Sequence, residues 1–257
     1  MNTAVVVGGG SGLGAAAART FGASGWRVVV VDRDADAAAR VAQALRGAMP
    51  VEADVTDDDA VGAAMDAASG AGPLRAVVCC AGIGHVERLL GKGGAHDPAS
   101  FRRVLEVNLL GSFHVLRHAA RVISANEPDG LGERGVCVLT ASIAAEDGQA
   151  GQIAYAASKA GVAGMTLSAA RDLSGAGIRV CTIAPGVFAT PLFQALPEPA
   201  QERLLNDVPF PPRGGHPDEF ASLVEHVVGN PMINGAVLRI DGSLRMPYVR
   251  PRSGQAA

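Results

Sequence analysis

The stretch VVVGGGSGLG, residues 5–14, passes directly from a run of valines into a run rich in glycine. A strand is predicted over residues 3–8, and a helix is predicted to begin among the glycines and to extend over residues 12–24. Gly8, Gly12 and Gly14 allow the backbone to turn tightly and let the helix pack closely against the strand. The stretch therefore predicts the opening βα unit of an α/β fold.

The same alternation of short apolar runs and longer Ala-rich segments continues along the chain. This alternation is typical of βαβ units around a parallel sheet, and the nearly all-apolar runs indicate strands covered by helices on both faces. One α/β domain is predicted over residues 1–257. Seven strands are predicted, at 3–8, 27–31, 49–53, 75–80, 135–141, 178–184 and 236–240. Helices are predicted at 12–24, 35–46, 57–69, 98–124, 151–173 and 217–229.

Composition limits the classes of partner and compartment. The chain has 257 residues, 48% of them apolar, and a formal net charge of −3, which gives no basic surface for nucleic acid or anionic membranes. No run is long and apolar enough to span a bilayer, and no basic leader opens the sequence, so a cytoplasmic protein is predicted. The four cysteines lack metal-ligand spacing and are interpreted as reduced packing residues.

A dinucleotide site is predicted from the glycines together with Asp32. The free N–H groups at the start of the first helix suit a pyrophosphate, although with 33 glycines a tight turn without a ligand is the alternative. Asp32 ends the second predicted strand, where a carboxylate accepts hydrogen bonds from ribose hydroxyls and repels a 2′-phosphate. NAD is therefore favoured over NADP, while Arg33 and Arg40 lie close by and a helix cap is the other interpretation of Asp32.

The third predicted strand ends in the sequence EADVT, which contains Asp54 and Val55. An acidic and an apolar side chain at this edge of the sheet suit the two sides of an adenine ring. The alternative for Asp54 is a helix cap, a role that Thr56 and Asp57 also suit.

The catalytic prediction rests on YAASK, residues 155–159. The chain has two tyrosines, Tyr155 and Tyr248, and two lysines, Lys92 and Lys159, against 20 arginines. Residues four apart share one face of a helix, and a nearby ammonium favours the phenolate form of a tyrosine. Tyr155 is therefore predicted to exchange a proton with an alcohol or carbonyl oxygen, and Lys159 to tune its pKa together with the positive charge of the nicotinamide.

Ser142 follows a predicted strand, thirteen residues before Tyr155. A serine in this position is usually a turn residue, but beside Tyr155 and Lys159 its hydroxyl is predicted to donate to the substrate oxygen.

Two stretches interrupt the α/β pattern. Residues 87–98 are predicted to form a Gly-rich loop. Residues 188–215 contain many prolines with scattered leucine and phenylalanine, and they suit either a lid over an apolar substrate or packing against a neighbouring subunit. No metal site is predicted, because His114 and His118 have helical ligand spacing without a third ligand and are interpreted as a polar helix face.

The motifs together resemble those of the classical short-chain dehydrogenases/reductases, in the order of that family and over nearly the whole chain. The resemblance implies a Rossmann-type doubly wound, seven-stranded parallel sheet, a homotetramer, and a catalytic tetrad. In that family the asparagine at the position of Asn108 holds a water of the proton relay. The lysine at the position of Lys159 binds nicotinamide ribose, and the threonine at the position of Thr190 holds the carboxamide. Val7 and the Cys79–Cys80 pair depart from the family pattern and remove side-chain bracing of the central strands. The tetrad comprises Asn108, Ser142, Tyr155 and Lys159.

Within the family, stretches such as CCAGI, NEPD and FATPL are similar to the type 2 3-hydroxyacyl-CoA dehydrogenases, also called 17β-hydroxysteroid dehydrogenases type 10. This resemblance implies oxidation of a short or branched 3-hydroxyacyl-CoA, with Ser142, Gln149 and Tyr155 as substrate contacts. The alternatives are a hydroxysteroid dehydrogenase, an acetoacetyl-CoA reductase, or an NAD-sensing or scaffolding protein without turnover. The implied cofactor contacts are Gly8, Ser11, Gly12, Leu13, Gly14, Asp32, Asp54, Val55, Cys80, Ala81, Gly82, Tyr155, Lys159, Pro185, Gly186, Phe188 and Thr190.

Overall fold

A computed structural model of the chain describes residues 1–91 and 93–247, so Lys92 and Tyr248 lie outside the described residues. Seven parallel strands form one sheet in the order β3-β2-β1-β4-β7-β8-β9, which confirms the predicted fold class. Each of the seven ends within one residue of its predicted bounds. The strands are β1 Thr3–Val7, β2 Arg27–Asp32, β3 Met49–Glu52, β4 Leu74–Cys79, β7 Gly135–Thr140, β8 Ile178–Pro185 and β9 Val237–Ile240, and a separate hairpin contains β5 Leu90–Gly91 and β6 Gly94–Ala95.

The helices occupy the intervals between the strands, as predicted. The helix predicted over 98–124 is one continuous helical stretch in which a π-helical turn, Glu106–Leu110, joins two α-helices. No helix within residues 1–91 and 93–247 combines the length and apolar character that crossing a membrane requires. The helices are α1 Gly12–Ala23, α2 Ala35–Gln43, α3 Asp58–Gly70, α4 Pro98–Leu105, α5 Gly111–Ile123, α6 Ile153–Asp172, α7 Pro191–Gln194, α8 Glu198–Asn206 and α9 Pro217–Gly229.

The two faces of the sheet carry separate cores. Alternate residues of a strand point to opposite faces, so Val5 and Val29 pack under α3, α5 and α6, whereas Val6 and Val30 pack under α1, α2 and α9. All four valines are completely buried. This double burial explains why the strands lack the polar alternation of a half-exposed sheet.

The cysteines are all free. Cys79, Cys137 and Cys181 are buried in strands and pack in the two cores, as their apolar surroundings predicted. Cys80 is only partly buried, because it follows the end of β4.

Two local interpretations of the sequence need correction. The stretch predicted as a Gly-rich loop, residues 87–98, contains the hairpin β5–β6. The predicted polar face of α5 is partly buried as well. The ring of His118 is enclosed between α5 and α3, where Nε2 lies 3.0 Å from Asp58 Oδ1, and His114 Nδ1 lies 2.9 Å from the Val55 carbonyl oxygen.

The strand order creates a crevice at the carboxyl edge of the sheet. From β1 the chain winds outward through β2 and β3, and from β4 it winds in the opposite direction through β7, β8 and β9. The connections that leave β1 and β4 therefore diverge, and ligands of doubly wound sheets bind at such a switch point. The loops after β1, β2, β4, β7 and β8 all meet there.

Candidate active site

The glycine turn after β1 is shaped by contacts that leave no room for side chains. Gly8 has a φ of +73°, and a Cβ there would lie 2.5 Å from the backbone nitrogen of Ala81. A Cβ on Gly14 would lie 2.1 Å from the carbonyl oxygen of Gly8. Gly8 thus allows β1 and the loop after β4 to approach each other closely, and Gly14 allows α1 to pack against the turn.

Asp32 organises the other side of this turn. Its carboxylate accepts hydrogen bonds from the backbone N–H of Gly10 at 2.9 Å and of Asp34 at 3.1 Å. The cap of α2 is Asp34, whose side chain accepts from Ala37 N–H, so the alternative of Asp32 as that cap is wrong. Asp32 therefore links β2 to the glycine turn and keeps a negative charge beside it.

A cavity of about 400 Å³ opens above the glycine turn. Arg33 and Arg40 also line it, next to Asp32, so both signs of charge border the same space. Gly10, Ile83 and Val107 are further lining residues that the sequence analysis did not name. The predicted cofactor contacts in this wall are Gly8, Ser11, Asp32, Asp54, Val55, Cys80, Ala81 and Gly82.

Asp54 is held in a turn of its own. Its Oδ1 accepts from the backbone N–H of Thr56 at 2.9 Å and from the Thr56 hydroxyl at 2.8 Å. These hydrogen bonds, led by the one from the backbone, lower the pKa of Asp54. The cap of α3 is Asp57, so Asp54 stays at the cavity wall and does not cap that helix.

A second cavity, of about 360 Å³, adjoins the first. Both are lined by Cys80 and Gly82, so they form one continuous crevice along the carboxyl edge of the sheet. The predicted site residues in its wall are Leu13, Cys80, Gly82, Ser142, Tyr155, Lys159, Pro185, Gly186, Phe188 and Thr190.

Lys159 is almost completely buried beside this second cavity. Its Nζ donates to the Thr140 carbonyl oxygen at 2.8 Å and lies 5.9 Å from the centroid of the Tyr155 ring. Burial lowers the pKa of Lys159 to about 8. Within the described part of the chain, the Thr140 carbonyl is the hydrogen-bond acceptor that holds this buried ammonium.

The surroundings of Tyr155 within the chain act on its pKa mainly through burial. Burial raises the pKa of Tyr155, and a hydrogen bond with Ser142 opposes this only in part. Among the groups of the chain, burial disfavours the phenolate more than its neighbours stabilise it. The predicted shift toward the phenolate depends on Lys159 together with the positive charge of the nicotinamide, and it stays a prediction.

Ser142 is both a cap and a wall residue. It follows β7 and begins a 3₁₀ turn, Ile143–Ala145, and its Oγ accepts from the Ala144 N–H at 3.2 Å. The same hydroxyl is hydrogen-bonded to Tyr155, the contact that partly opposes the effect of burial on the pKa of the phenol. Ser142 is 8% exposed, so a donated hydrogen bond would form in a largely dry place.

Asn108 lies behind the cavity wall, inside the π-helical turn. Its Oδ1 accepts from the Ile83 N–H at 2.8 Å, and its Nδ2 donates to the Ile83 carbonyl and to Ser158 Oγ, each at 3.0 Å. Asn108 is fully buried. Its side chain therefore ties the loop after β4 to α6 at the residue before Lys159, and the predicted water relay stays a prediction.

Three other predicted residues do not line either cavity. Gly12 and Gly14 lie at the start of α1, where a Cβ on Gly12 would lie 3.4 Å from Thr190 and one on Gly14 would lie 2.1 Å from the Gly8 carbonyl oxygen. Gln149 is set back in the loop before α6, where its carbonyl oxygen accepts from the Gln152 N–H at 3.1 Å. Gln152 lines the second cavity instead, because the turn at 149–152 turns it toward Tyr155.

Several wall residues of the second cavity were missed by the sequence analysis. They lie in connections whose shape has no sequence periodicity, although Gln152 precedes Tyr155 by three residues, a spacing that brings side chains together on a helix. Its Oε1 is buried and has no hydrogen-bond partner among the described residues. The larger side chains among the missed residues are His85, Val86, Gln152, Leu192, Phe193, Leu196 and Met246.

Comparisons with known proteins agree with this geometry. A family model described as short chain dehydrogenase matches residues 2–201. A 3-hydroxyacyl-CoA dehydrogenase type-2 from Drosophila melanogaster is 47% identical over 246 residues, which cover 94% of this chain and 96% of the relative. A protein of the same name from Homo sapiens is 46% identical over 247 residues, 95% of each chain. The crystal structure of 3-hydroxyacyl-CoA dehydrogenase type-2 from Mycobacterium avium matches with a TM-score of 0.92, 44% identity and 96% of each chain covered.

Proposed function

Since the chain belongs to the short-chain dehydrogenase family and is an oxidoreductase acting on CH–OH groups, we propose that it oxidises short or branched 3-hydroxyacyl-CoA to 3-oxoacyl-CoA with NAD. The observation that carries the proposal is the continuous crevice, in which a glycine-lined cavity bordered by Asp32 adjoins one containing Tyr155, Ser142 and Lys159. Relatives that share 46–47% of their residues with this chain are named for the same class of substrate.

The first cavity fits a dinucleotide. The backbone of Gly8 and Gly10 and the start of α1 would hold the pyrophosphate, and Asp32 would accept from the adenosine ribose. Lys159 and Thr190 border the second cavity and would hold the nicotinamide end. When bound, NAD supplies the acceptor for the hydride that leaves C3 of the substrate.

Tyr155 is the proposed acid/base. In its phenolate form, Tyr155 accepts the proton of the substrate C3 alcohol. The Ser142 hydroxyl donates a hydrogen bond to the same substrate oxygen. Because burial raises the pKa of Tyr155, its phenolate fraction grows as pH rises. The oxidation rate is therefore expected to increase with pH across the neutral and alkaline range.

The wall opposite Tyr155 supports an apolar acyl group. Leu192, Phe193 and Leu196 lie there, in and just after α7, and Gln152 adds a single amide with a free acceptor. A thioester with a short apolar chain matches this mixture better than a strongly polar substrate does. We propose that residues 188–215 close over this chain as a lid.

The test is initial-rate kinetics with purified protein, measured as NADH absorbance. The substrates are 3-hydroxybutyryl-CoA, 2-methyl-3-hydroxybutyryl-CoA and a 17β-hydroxysteroid, and Tyr155→Phe is the inactive control. A higher kcat/KM for an acyl-CoA than for the steroid is expected. Preference for the steroid would overturn the substrate assignment, and tight NAD binding without turnover of any substrate would favour a sensing protein.

The cofactor is tested in a parallel series with NADP. Asp32 is expected to give NAD a higher kcat/KM, and Asp32→Asn should reduce that preference by about fivefold or more, since removing a full charge is worth about 1 kcal/mol or more at partly exposed sites. Equal use of both cofactors by the unaltered protein would contradict the role of Asp32 and point to Arg33 and Arg40 as a 2′-phosphate site.

Assembly and compartment complete the proposal. A homotetramer is supported by large apolar side chains that are exposed on helices, since Leu110 in the π-helical turn, Phe113 in α5 and Leu167 in α6 are each about half exposed. Light scattering of the purified protein tests the tetramer. A cytoplasmic location, and one domain over residues 1–257, are proposed from the sequence.

A further inference from the structure

A cluster of three metal-ligating side chains lies beside the mouth of the second cavity and takes no part in the proposed chemistry. One nitrogen each of His85 and His96 and one carboxylate oxygen of Glu87 all lie within 4.8 Å of one another. His85 Nε2 is 2.9 Å from Glu87 Oε2, and His96 Nδ1 is 3.6 Å from the same oxygen. Among residues 1–91 and 93–247 this is the one group of three histidine, cysteine or acidic residues arranged in this way.

His96 has the surroundings of a metal-binding imidazole. Its side chain is only 6% exposed, and its Nδ1 lies 2.9 Å from the Asp97 carbonyl oxygen. A carbonyl only accepts, so Nδ1 carries the proton and Nε2 keeps its lone pair. That Nε2 is buried and has no partner among the described residues. Metal-binding histidines usually hold their second nitrogen by such a backbone hydrogen bond.

Glu87 is fixed as well. Its Oε1 accepts from the Asp97 N–H at 2.7 Å, which leaves Oε2 for the two imidazoles. Its backbone N–H donates to the Gly151 carbonyl oxygen at 2.8 Å, just before α6. The carboxylate thus has a defined orientation before any ion binds.

We propose that His85, Glu87 and His96 bind one Zn²⁺ ion, with water as the fourth ligand. Two imidazoles and one carboxylate are a ligand set that suits zinc better than Mg²⁺ or Ca²⁺, which prefer oxygen ligands. Zinc bonds of about 2.0–2.1 Å in a tetrahedron place ligand atoms about 3.3 Å apart. The ligand atoms of the cluster are up to about 1.5 Å farther apart than this, and the His96 nitrogen nearer to Glu87 is Nδ1, so the His96 side chain must rotate to bring Nε2 to the ion.

The ion would join two ends of the hairpin segment. His85 precedes β5 and His96 follows β6, so a shared ion would cross-link the strands at their base. His85 and Val86 line the second cavity, and Glu87 is bonded to the loop before α6. Zinc is therefore expected to stiffen the cavity mouth and to alter the KM of the acyl substrate more than kcat.

The experiment is isothermal titration of chelator-treated full-length protein with Zn²⁺, with Mg²⁺ as a second probe. One Zn²⁺ per chain with a dissociation constant of about 1 µM or lower is expected, and no heat is expected from Mg²⁺. Glu87→Gln keeps the acceptor for Asp97 but removes the charge, and it should weaken binding by about tenfold or more. His85→Gln should do the same. Co²⁺ bound in place of Zn²⁺ should show the visible absorption of a tetrahedral site.

The matched control is His226→Gln, since His226 is exposed on α9 and lies outside the cluster. Its zinc affinity should equal that of the unaltered protein. Circular dichroism of each variant checks that it is folded. The proposal is overturned if the unaltered protein binds no Zn²⁺, if His85→Gln and Glu87→Gln bind it as tightly as His226→Gln, or if Mg²⁺ binds equally well.

Discussion

The two ends of the crevice treat their polar groups differently. At the glycine end, Asp32 accepts two backbone hydrogen bonds and Asp54 accepts two from Thr56, so each carboxylate is stabilised by folding alone. At the tyrosine end, Lys159 donates to one backbone carbonyl and the pKa of Tyr155 is raised by burial. Gln152 Oε1 has no hydrogen-bond partner within residues 1–91 and 93–247.

The difference shows that the glycine end is preorganised by its own hydrogen bonds, whereas the tyrosine end has polar groups that a ligand would pair. The glycine end gains stability from the same contacts that shape it, so changes there should damage the fold and the cofactor site together. The tyrosine end keeps polar groups in an apolar place at some cost in stability, because their partners arrive with the ligands. Changes there should damage activity while sparing, or even improving, stability.

The largest expected effect is on turnover in Tyr155→Phe. Removing the phenolic hydroxyl removes the proposed proton acceptor, and kcat should fall by about a thousandfold or more. The ring and its packing are kept, so the midpoint of thermal unfolding should change little. Steady-state kinetics and thermal unfolding are measured on the same preparation. A variant that retains a tenth of the activity would show that another group carries the proton.

Gly14→Ala is the corresponding change at the glycine end. The new methyl group would lie 2.1 Å from the Gly8 carbonyl oxygen, a backbone atom that cannot move aside, so α1 must shift away from the turn. We expect a loss of about 3 kcal/mol or more in the free energy of unfolding, and loss of NAD binding.

The control for this change is Gly164→Ala, the same substitution within α6, where a Cβ would have nothing within 4 Å. Alanine is favoured over glycine in a helix by about 1 kcal/mol, so this variant should be more stable. Urea unfolding measures both. Equal stability of the two variants would mean that backbone contact at Gly14 does not govern the turn.

Lys159→Met tests the cost of burying the ammonium. The pKa of Lys159 is lowered to about 8 in the folded chain, so between that pH and about 10.5 the unfolded chain binds more protons than the folded one. The folded state therefore gains stability as pH rises through this window, by about 3 kcal/mol in total, and the methionine variant lacks that gain.

The measurement is urea unfolding of both proteins from pH 7.5 to pH 10. The stability of the unaltered protein relative to Lys159→Met should rise with pH, and at neutral pH the variant should be at least as stable, although inactive. A constant difference across the range would show that Lys159 titrates normally.

The fold was largely predictable because it repeats a simple rule. Strands buried on both faces read as apolar runs, and all seven were found within one residue of their ends. The glycines, Asp32, Ser142, Tyr155 and Lys159 follow strand ends or share a helix face, so spacing was enough to bring them to one edge.

The remaining features depend on tertiary contacts that spacing does not encode. The sign of the pKa shift of Tyr155 depends on how deeply the ring is buried, and the sequence has no record of that burial. Gln152 lines the second cavity in place of the predicted Gln149 because of the turn before α6. The cluster of His85, Glu87 and His96 forms only because a hairpin brings these residues together.

The smallest expected effect, in Gln152→Leu, sharpens the comparison most directly. Gln152 Oε1 is buried without a partner among the described residues, so replacing the amide with an apolar side chain should leave stability unchanged or raise it by about 1 kcal/mol. If the amide bonds the substrate, KM for the acyl-CoA should rise by about threefold to tenfold with kcat nearly unchanged, because a binding contact is lost without a change in the acid/base. Gln149→Leu is the matched control, and its KM should not move, since Gln149 is set back from the cavity. Reduced stability of Gln152→Leu with an unchanged KM would mean that Gln152 stabilises the fold, as the hydrogen-bonded carboxylates of the glycine end do. The contrast between the two ends of the crevice would then be wrong for this residue.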